Sequence, residues 1–143
     1  DIPSQWKAVV AIPDFELHTE KARAVLPASY VRSDVVHNIG AVSFLMAAFM
    51  YNKPEYLKFG LDDHVHVPYR LGLIPGSEEV IRSSVKAGAY GATISGSGPT
   101  IIAFSPSDKA HLVGESMVST FKHHGITSSY IVLDFDQSGI SAV

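Results

Sequence analysis

Two short β-branched runs near the C-terminal end, Thr93-Ile94 and Thr100-Ile101-Ile102-Ala103-Phe104, flank the segment Ser95-Gly96-Ser97-Gly98-Pro99. Glycine and proline at that density mark a turn, so the two runs read as hairpin-like neighbouring strands. A helical pattern lies on either side of them. Pro75-Gly76-Ser77 opens a helix to Ala87, with Ser77 as the cap candidate, Glu78 and Glu79 at the positive end, and Gly88 beyond the last turn. Ser107 opens a second helix to His124, stopped by Gly125. Farther out, Ala8–Ile12 reads as a buried strand ended by Pro13, and Ser129–Phe135 as a last strand. Ile131, Leu133 and Phe135 share one face of it, taken as the core face, and Asp134 and Asp136 alternate toward solvent.

The stretch between the first strand and the hairpin is mostly helical. Thr19 is an N-cap candidate for a helix to Val25, which Leu26-Pro27 stops because a residue before proline avoids the α region. Ser33 or Asp34 caps the next helix, run to about Tyr51. Val35, Ile39, Val42, Leu45, Met46 and Phe49 keep its period, and its second half is apolar nearly all round, as in a helix that is fully buried or at an interface. Pro54 opens a short helix to about Leu61. The order of strand, helices, helix, two strands, helix and strand predicts an α+β fold: a small, largely antiparallel sheet with helices on one side, in one domain over residues 1–143.

Composition narrows the function classes. With 46% hydrophobic and 17% charged residues over 143 positions, the chain can bury a core without staples and is not disordered. A net charge of −3 argues against a nucleic-acid partner and against a polybasic membrane surface. The longest apolar run, Ala41–Met50, is too short to span a bilayer. The absence of cysteine excludes disulfides, thiolate zinc, iron–sulfur clusters and a cysteine nucleophile, and fits a reducing, cytoplasmic setting.

The glycine-rich turn is the most informative segment. It lacks the third glycine of a dinucleotide fingerprint, the Gly-Lys-Ser/Thr of a Walker loop and the spacing of a nucleophile elbow. Two glycines around Ser97 still allow positive φ and a close approach of backbone N–H groups to an anion. A plain tight β-turn explains the same residues. Among the seven histidines, Asp62-Asp63-His64-Val65-His66 is the densest cluster. No further ligands follow at known spacing, and no metal site is assigned. His123 and His124 suit a helix C-terminus, and Asn38 reads as a structural hydrogen-bonding residue.

Ile94-Ser95-Gly96-Ser97-Gly98-Pro99-Thr100 resembles the third conserved motif of the GHMP small-molecule kinases. Thr19-Glu20-Lys21-Ala22-Arg23-Ala24-Val25-Leu26-Pro27 resembles the T-x-x-A-R-x-x-L-P segment of the homoserine kinases within that family, and His66-Val67-Pro68-Tyr69-Arg70 with Leu73-Ile74-Pro75-Gly76 resembles their H-x-P-Y-R…L-I-P-G segment. The family's ATP-binding motif, P-x-x-x-G-L-G-S-S-A, belongs upstream of residue 1. The resemblance thus covers the C-terminal half, with residues 1–32 nearest the junction with an N-terminal domain. It implies a ferredoxin-like fold and ATP-dependent phosphorylation of the L-homoserine hydroxyl in threonine biosynthesis. It places Thr19, Arg23, Arg70 and Gly98 at the substrate and Ser95, Gly96, Ser97 and Gly98 in the glycine-rich loop, with no catalytic residue assigned. ATP and Mg²⁺ would be held mainly by the N-terminal half, and a homodimer is implied. Arginine's fork suits a planar carboxylate, which gives the clamp its chemical sense. On residue chemistry alone, Arg23 and Arg70 are also compatible with an ordinary surface. Three other readings stay open: a GHMP kinase for another alcohol, a ferredoxin-like amino-acid-binding regulatory module, and a structural dimerisation domain.

Overall fold

Small and β-branched residues line up across four strands in the computed structural model, which describes residues 2–139. The strands are β1 (Trp6–Pro13), β2 (Gly91–Ile94), β3 (Ile101–Pro106) and β4 (Ser128–Leu133), all antiparallel in the order β2-β3-β1-β4. The helices are α1 (Thr19–Ala24), α2 (Arg32–Met50), α3 (Leu57–Gly60), α4 (Val67–Leu71), α5 (Ser77–Lys86) and α6 (Ala110–His123). Short 3-10 turns at Pro54–Tyr56 and Ser107–Lys109 lead into α3 and α6. The hairpin and the α+β class agree with the sequence, and the strand order is that of a ferredoxin-like sheet whose first crossover is enlarged to five helices.

Register decides which residues form the core. Val9 pairs with Ala103 and Val132, and Ala11 with Ile101 and Tyr130; Ala92 and Ile94 extend the row across β2. This face meets α5 and α6 through Val80, Val113, Met117 and Phe121, all fully buried. Gly114 of α6 lies against the Tyr130 ring, where any Cβ would collide. The opposite face is covered only at one end. There Trp6 and Phe104 pack on Ala48, Phe49 and Leu57, with the Phe49 ring 5.4 Å from Trp6 and 5.5 Å from Phe104.

The structure corrects several expectations. The covered face of β4 carries Tyr130 and Val132, while Ile131 and Leu133 stand 47% and 46% exposed. Alternation shows that a strand has two faces, and only the packed helices choose between them. Of the two expectations for the long apolar helix, full burial fails and an interface stays open: within it only Ala41 and Ala48 are inaccessible, and Val36 and Ile39 are 61% and 66% exposed. Counted over its whole length, with mean hydropathy 1.3, it is long and apolar enough to cross a membrane, although Ala48 and Phe49 are committed to the Trp6 cluster. Neither Ser33, Asp34, Thr19 nor Ser77 caps a helix with its side chain. The cap positions are Val31, His18 and Gly76, and Ser77 donates instead to the Leu71 carbonyl at 3.1 Å. Helix α4 was not foreseen.

Candidate functional site

The glycine-rich turn closes on itself and leaves two amides without a partner among the described residues. Ser95 N–H donates to the Thr100 carbonyl at 2.8 Å, and Gly98 N–H to the Ser95 carbonyl at 3.0 Å. Gly96 and Gly98 have φ of 60° and 82°, the left-handed region that glycine enters without penalty. They serve different ends. A Cβ on Gly98 would sit 2.6 Å from Ile74 Cδ1, so this glycine lets the turn seat on the core, whereas nothing stands within 4 Å of a Cβ on Gly96. Among the described residues, the Gly96 and Ser97 amides donate to no protein acceptor. Successive unpaired amides of this kind form a concavity suited to an anion.

Arg70 ties this turn to the start of the domain. Its Nε donates to the Ala22 carbonyl at 3.1 Å. Its Nη1 donates to the Gly96 carbonyl at 3.1 Å and lies 3.3 Å from His66 Nδ1. One guanidinium therefore joins α4, α1 and the turn, three segments far apart in sequence. Thr19 and Arg23 lie one turn apart on α1, on the same side, with buried Ala22 between them in the chain. Both are exposed, and among the described residues no hydrogen bond or ion pair engages either side chain. The structure thus brings Arg70, the glycine turn and the α1 backbone together. Arg23 follows Ala22 on α1, exposed, and among the described residues is not brought into contact with them.

The support beneath Arg70 was missed in the sequence. Asp63 Oδ1 accepts the amides of Val65, His66 and Val67 at 3.0, 2.6 and 2.8 Å, which organises the first turn of α4. Its Oδ2 accepts Asn38 Nδ2 at 2.7 Å, and Asn38 Oδ1 accepts the His64 amide at 2.8 Å. Burial alone would raise the Asp63 pKa. The His66 and Val67 amides, Asn38 and the nearby His66 ring outweigh it and hold the carboxyl below its ordinary value. The local signal is a weak one, an aspartate shortly before a proline-opened helix, and it says nothing of Asn38. Asn38 does act as a structural hydrogen-bonding residue. A cleft of about 200 Å³ runs beside this network, lined in part by Asn38, Asp63, His66, Thr93 and Ile94.

The family model for the GHMP kinases C-terminal domain matches residues 54–123, a stretch that contains both Arg70 and the glycine turn. Over that stretch the chain is similar to the C-terminal domain of the GHMP kinases. It is 44% identical over 131 residues to a homoserine kinase of Picosynechococcus and 45% identical over 133 residues to one of Carboxydothermus hydrogenoformans. These alignments cover 92% and 93% of this chain and 43% of each relative. The crystal structure of homoserine kinase from Cytophaga hutchinsonii superposes with a TM-score of 0.90 at 34% identity, covering 95% of this chain and 44% of that one. The chain therefore spans less than half the length of these GHMP kinase relatives. Its α+β sheet is the GHMP C-terminal architecture, and the Arg70 bridge lies inside the matched stretch.

Proposed function

We propose that this chain is the C-terminal part of a homoserine kinase, which transfers the γ-phosphoryl group of ATP to the side-chain hydroxyl of L-homoserine. The products are O-phosphohomoserine, a precursor in threonine biosynthesis, and ADP. The observation that carries the reading is the Arg70 bridge between α1 and the glycine turn. It sets one guanidinium beside unpaired amides, and in this reading Arg23, exposed on α1 next to Ala22, turns to the same substrate carboxylate. A bidentate guanidinium–carboxylate pair orients a small amino acid so that its hydroxyl points in one direction. Thr19 adds a hydroxyl on the same side of α1. The Gly96 amide faces whatever anion approaches the turn.

In the transfer, the bond from the γ-phosphorus to the bridging oxygen breaks and a bond to the homoserine oxygen forms, while the hydroxyl proton leaves. Such reactions depend mainly on positioning and charge stabilisation. Positioning is the part these residues supply. Mg²⁺ accompanies ATP in this chemistry, but the residues here do not fit the ion. The residues assigned to the substrate offer arginines, a hydroxyl and backbone, and the nearby Asp63 carboxylate is already engaged by three amides and Asn38. The working protein is a cytoplasmic homodimer in this reading, supported by the absence of cysteine and by the outward apolar side of α2.

The test is phosphorylation of an amino-alcohol panel by the full-length protein. ATP-dependent conversion of L-homoserine, well above its conversion of other small alcohols, is expected, and preference for a different alcohol would overturn the substrate assignment. The isolated 143-residue chain should be inactive, and turnover by it would show that the phosphate-binding machinery lies within these residues.

A further inference from the structure

Helix α2 and the loop after α3 bring together a group of side chains that the kinase reading does not use. His37 lies on α2, and Asp62 and His64 lie in the loop, 25 residues on from α2 at the His37–Asp62 contact. The two imidazoles stack with centroids 3.9 Å apart and planes 13° from parallel. Both present Nε2 to one carboxylate: His37 Nε2 is 3.1 Å from Asp62 Oδ2, and His64 Nε2 is 3.8 Å from Asp62 Oδ1. His37 Nε2 also lies 3.0 Å from the Asp62 carbonyl, a hydrogen bond that an ion would replace. All three ligand atoms fall within 4.8 Å of one another. Tetrahedral zinc with bonds of about 2.0–2.2 Å needs ligand atoms about 3.4 Å apart, so closing the site takes shifts of about an ångström together with a turn of the two rings out of their stack, so that both Nε2 lone pairs converge on the ion. The other nitrogen of His64 is also accounted for, since Nδ1 lies 3.5 Å from Asp34 Oδ1. A carboxylate on the far ring nitrogen fixes the tautomer that leaves Nε2 open to a metal.

We propose that His37, Asp62 and His64 bind a divalent transition ion, Zn²⁺ foremost, with Asp34 as the positioning partner of His64. Two imidazoles and one carboxylate suit Zn²⁺, Ni²⁺ or Cu²⁺ and are poor for Mg²⁺ or Ca²⁺. Three protein ligands leave a coordination position for water. The ion would pin α2 to the loop residue preceding Asp63, and so brace the carboxylate that organises α4 and presents Arg70. The adjoining His66 is not part of the set, because its nearest carboxylate is Asp63, already committed to amides.

The probe is Zn²⁺ alone, titrated calorimetrically into the purified protein, with Co²⁺ as a spectroscopic substitute. One equivalent per chain is expected, together with visible Co²⁺ absorption. The double variant His37→Ala/His64→Ala should abolish both signals. Asp34→Asn should weaken affinity by about 10- to 100-fold, the usual effect of removing an outer carboxylate partner. His123→Ala, at the far end of α6, should bind as the parent does. Imidazole nitrogen NMR of the unmutated protein needs no variant, and there His37 and His64 should shift on Zn²⁺ addition while His18 and His111 stay. Absence of stoichiometric binding by the parent, undiminished binding by the double variant, or shifts confined to other histidines would overturn the site.

Discussion

Arg70 and Asp63 divide the work at the residue scale: one joins α1 to the glycine turn, where the proposed ligand would lie, and the other organises the helix that carries it. Arg70→Lys keeps the charge but cannot reach the Ala22 and Gly96 carbonyls and a ligand from one planar fork. In the full-length enzyme it should raise KM for homoserine more than KM for ATP, and equal effects on both would remove Arg70 from the amino-acid side. Asp63→Ala removes the acceptor of three amides and should lower stability by about 1–2 kcal/mol, checked by urea unfolding. The pH dependence has a definite sign. The folded pKa of Asp63 lies below the ordinary 3.8, so its contribution is complete above that value and is lost as pH falls through the depressed one. Asp63→Asn should lose less stability than the parent over that acid window, and parallel curves would contradict the assignment. Residue chemistry alone leaves Arg23 and Arg70 compatible with an ordinary surface, and only the motif resemblance points to a carboxylate clamp. The Asp63 network was not legible, because its acceptor and donors come from α2, a loop and α4, and no local pattern links Asn38 to Asp63.

At the scale of elements, the glycine turn separates a structural glycine from an open one. Gly98→Ala meets Ile74 as well as an unfavourable φ, whereas Gly96→Ala meets only the backbone cost. Left-handed backbone costs a non-glycine residue about 1–2 kcal/mol. Gly96→Ala should therefore destabilise by about that much and Gly98→Ala by clearly more, as measured by thermal unfolding. Equal losses would mean that Gly98 does not seat the turn. The hairpin itself was readable because β-branched runs around Gly-Ser-Gly admit few alternatives. The exposed side of β4 was not readable, since Val132 and Ile131 are equally apolar and only α6, packed on Tyr130 and Val132, distinguishes them. Helix α4 escaped notice because its five residues are too short to show a period and depend on Asp63.

Across the whole molecule, the order of elements carried the architecture: an enlarged βαββαβ arrangement folds into the order β2-β3-β1-β4. What the pattern could not supply was the extent of cover. An apolar helix reads as buried, yet much of α2 and of the β4 end of the sheet stays open, with Val36, Ile39, Val42, Met46, Ile131 and Leu133 all exposed. Contiguous apolar surface of this kind marks an interaction site. The protein should sediment as a dimer, and Val36→Glu/Ile39→Glu should sediment as a monomer with little loss of fold stability, because both side chains are already exposed. A monomeric parent would count against α2 as the dimer contact.

The central proposal, that Arg70 at the glycine turn and Arg23 on α1 grip the substrate carboxylate, is tested most directly by comparing L-homoserine with aminopropanol, the amino alcohol lacking that carboxylate. Full-length parent enzyme should strongly prefer homoserine by kcat/KM. Arg23→Ala and Arg70→Ala should each erode that preference by about 10- to 100-fold, the range for a charge-assisted hydrogen bond, with little change toward aminopropanol itself. A preference that survives both substitutions would contradict the clamp.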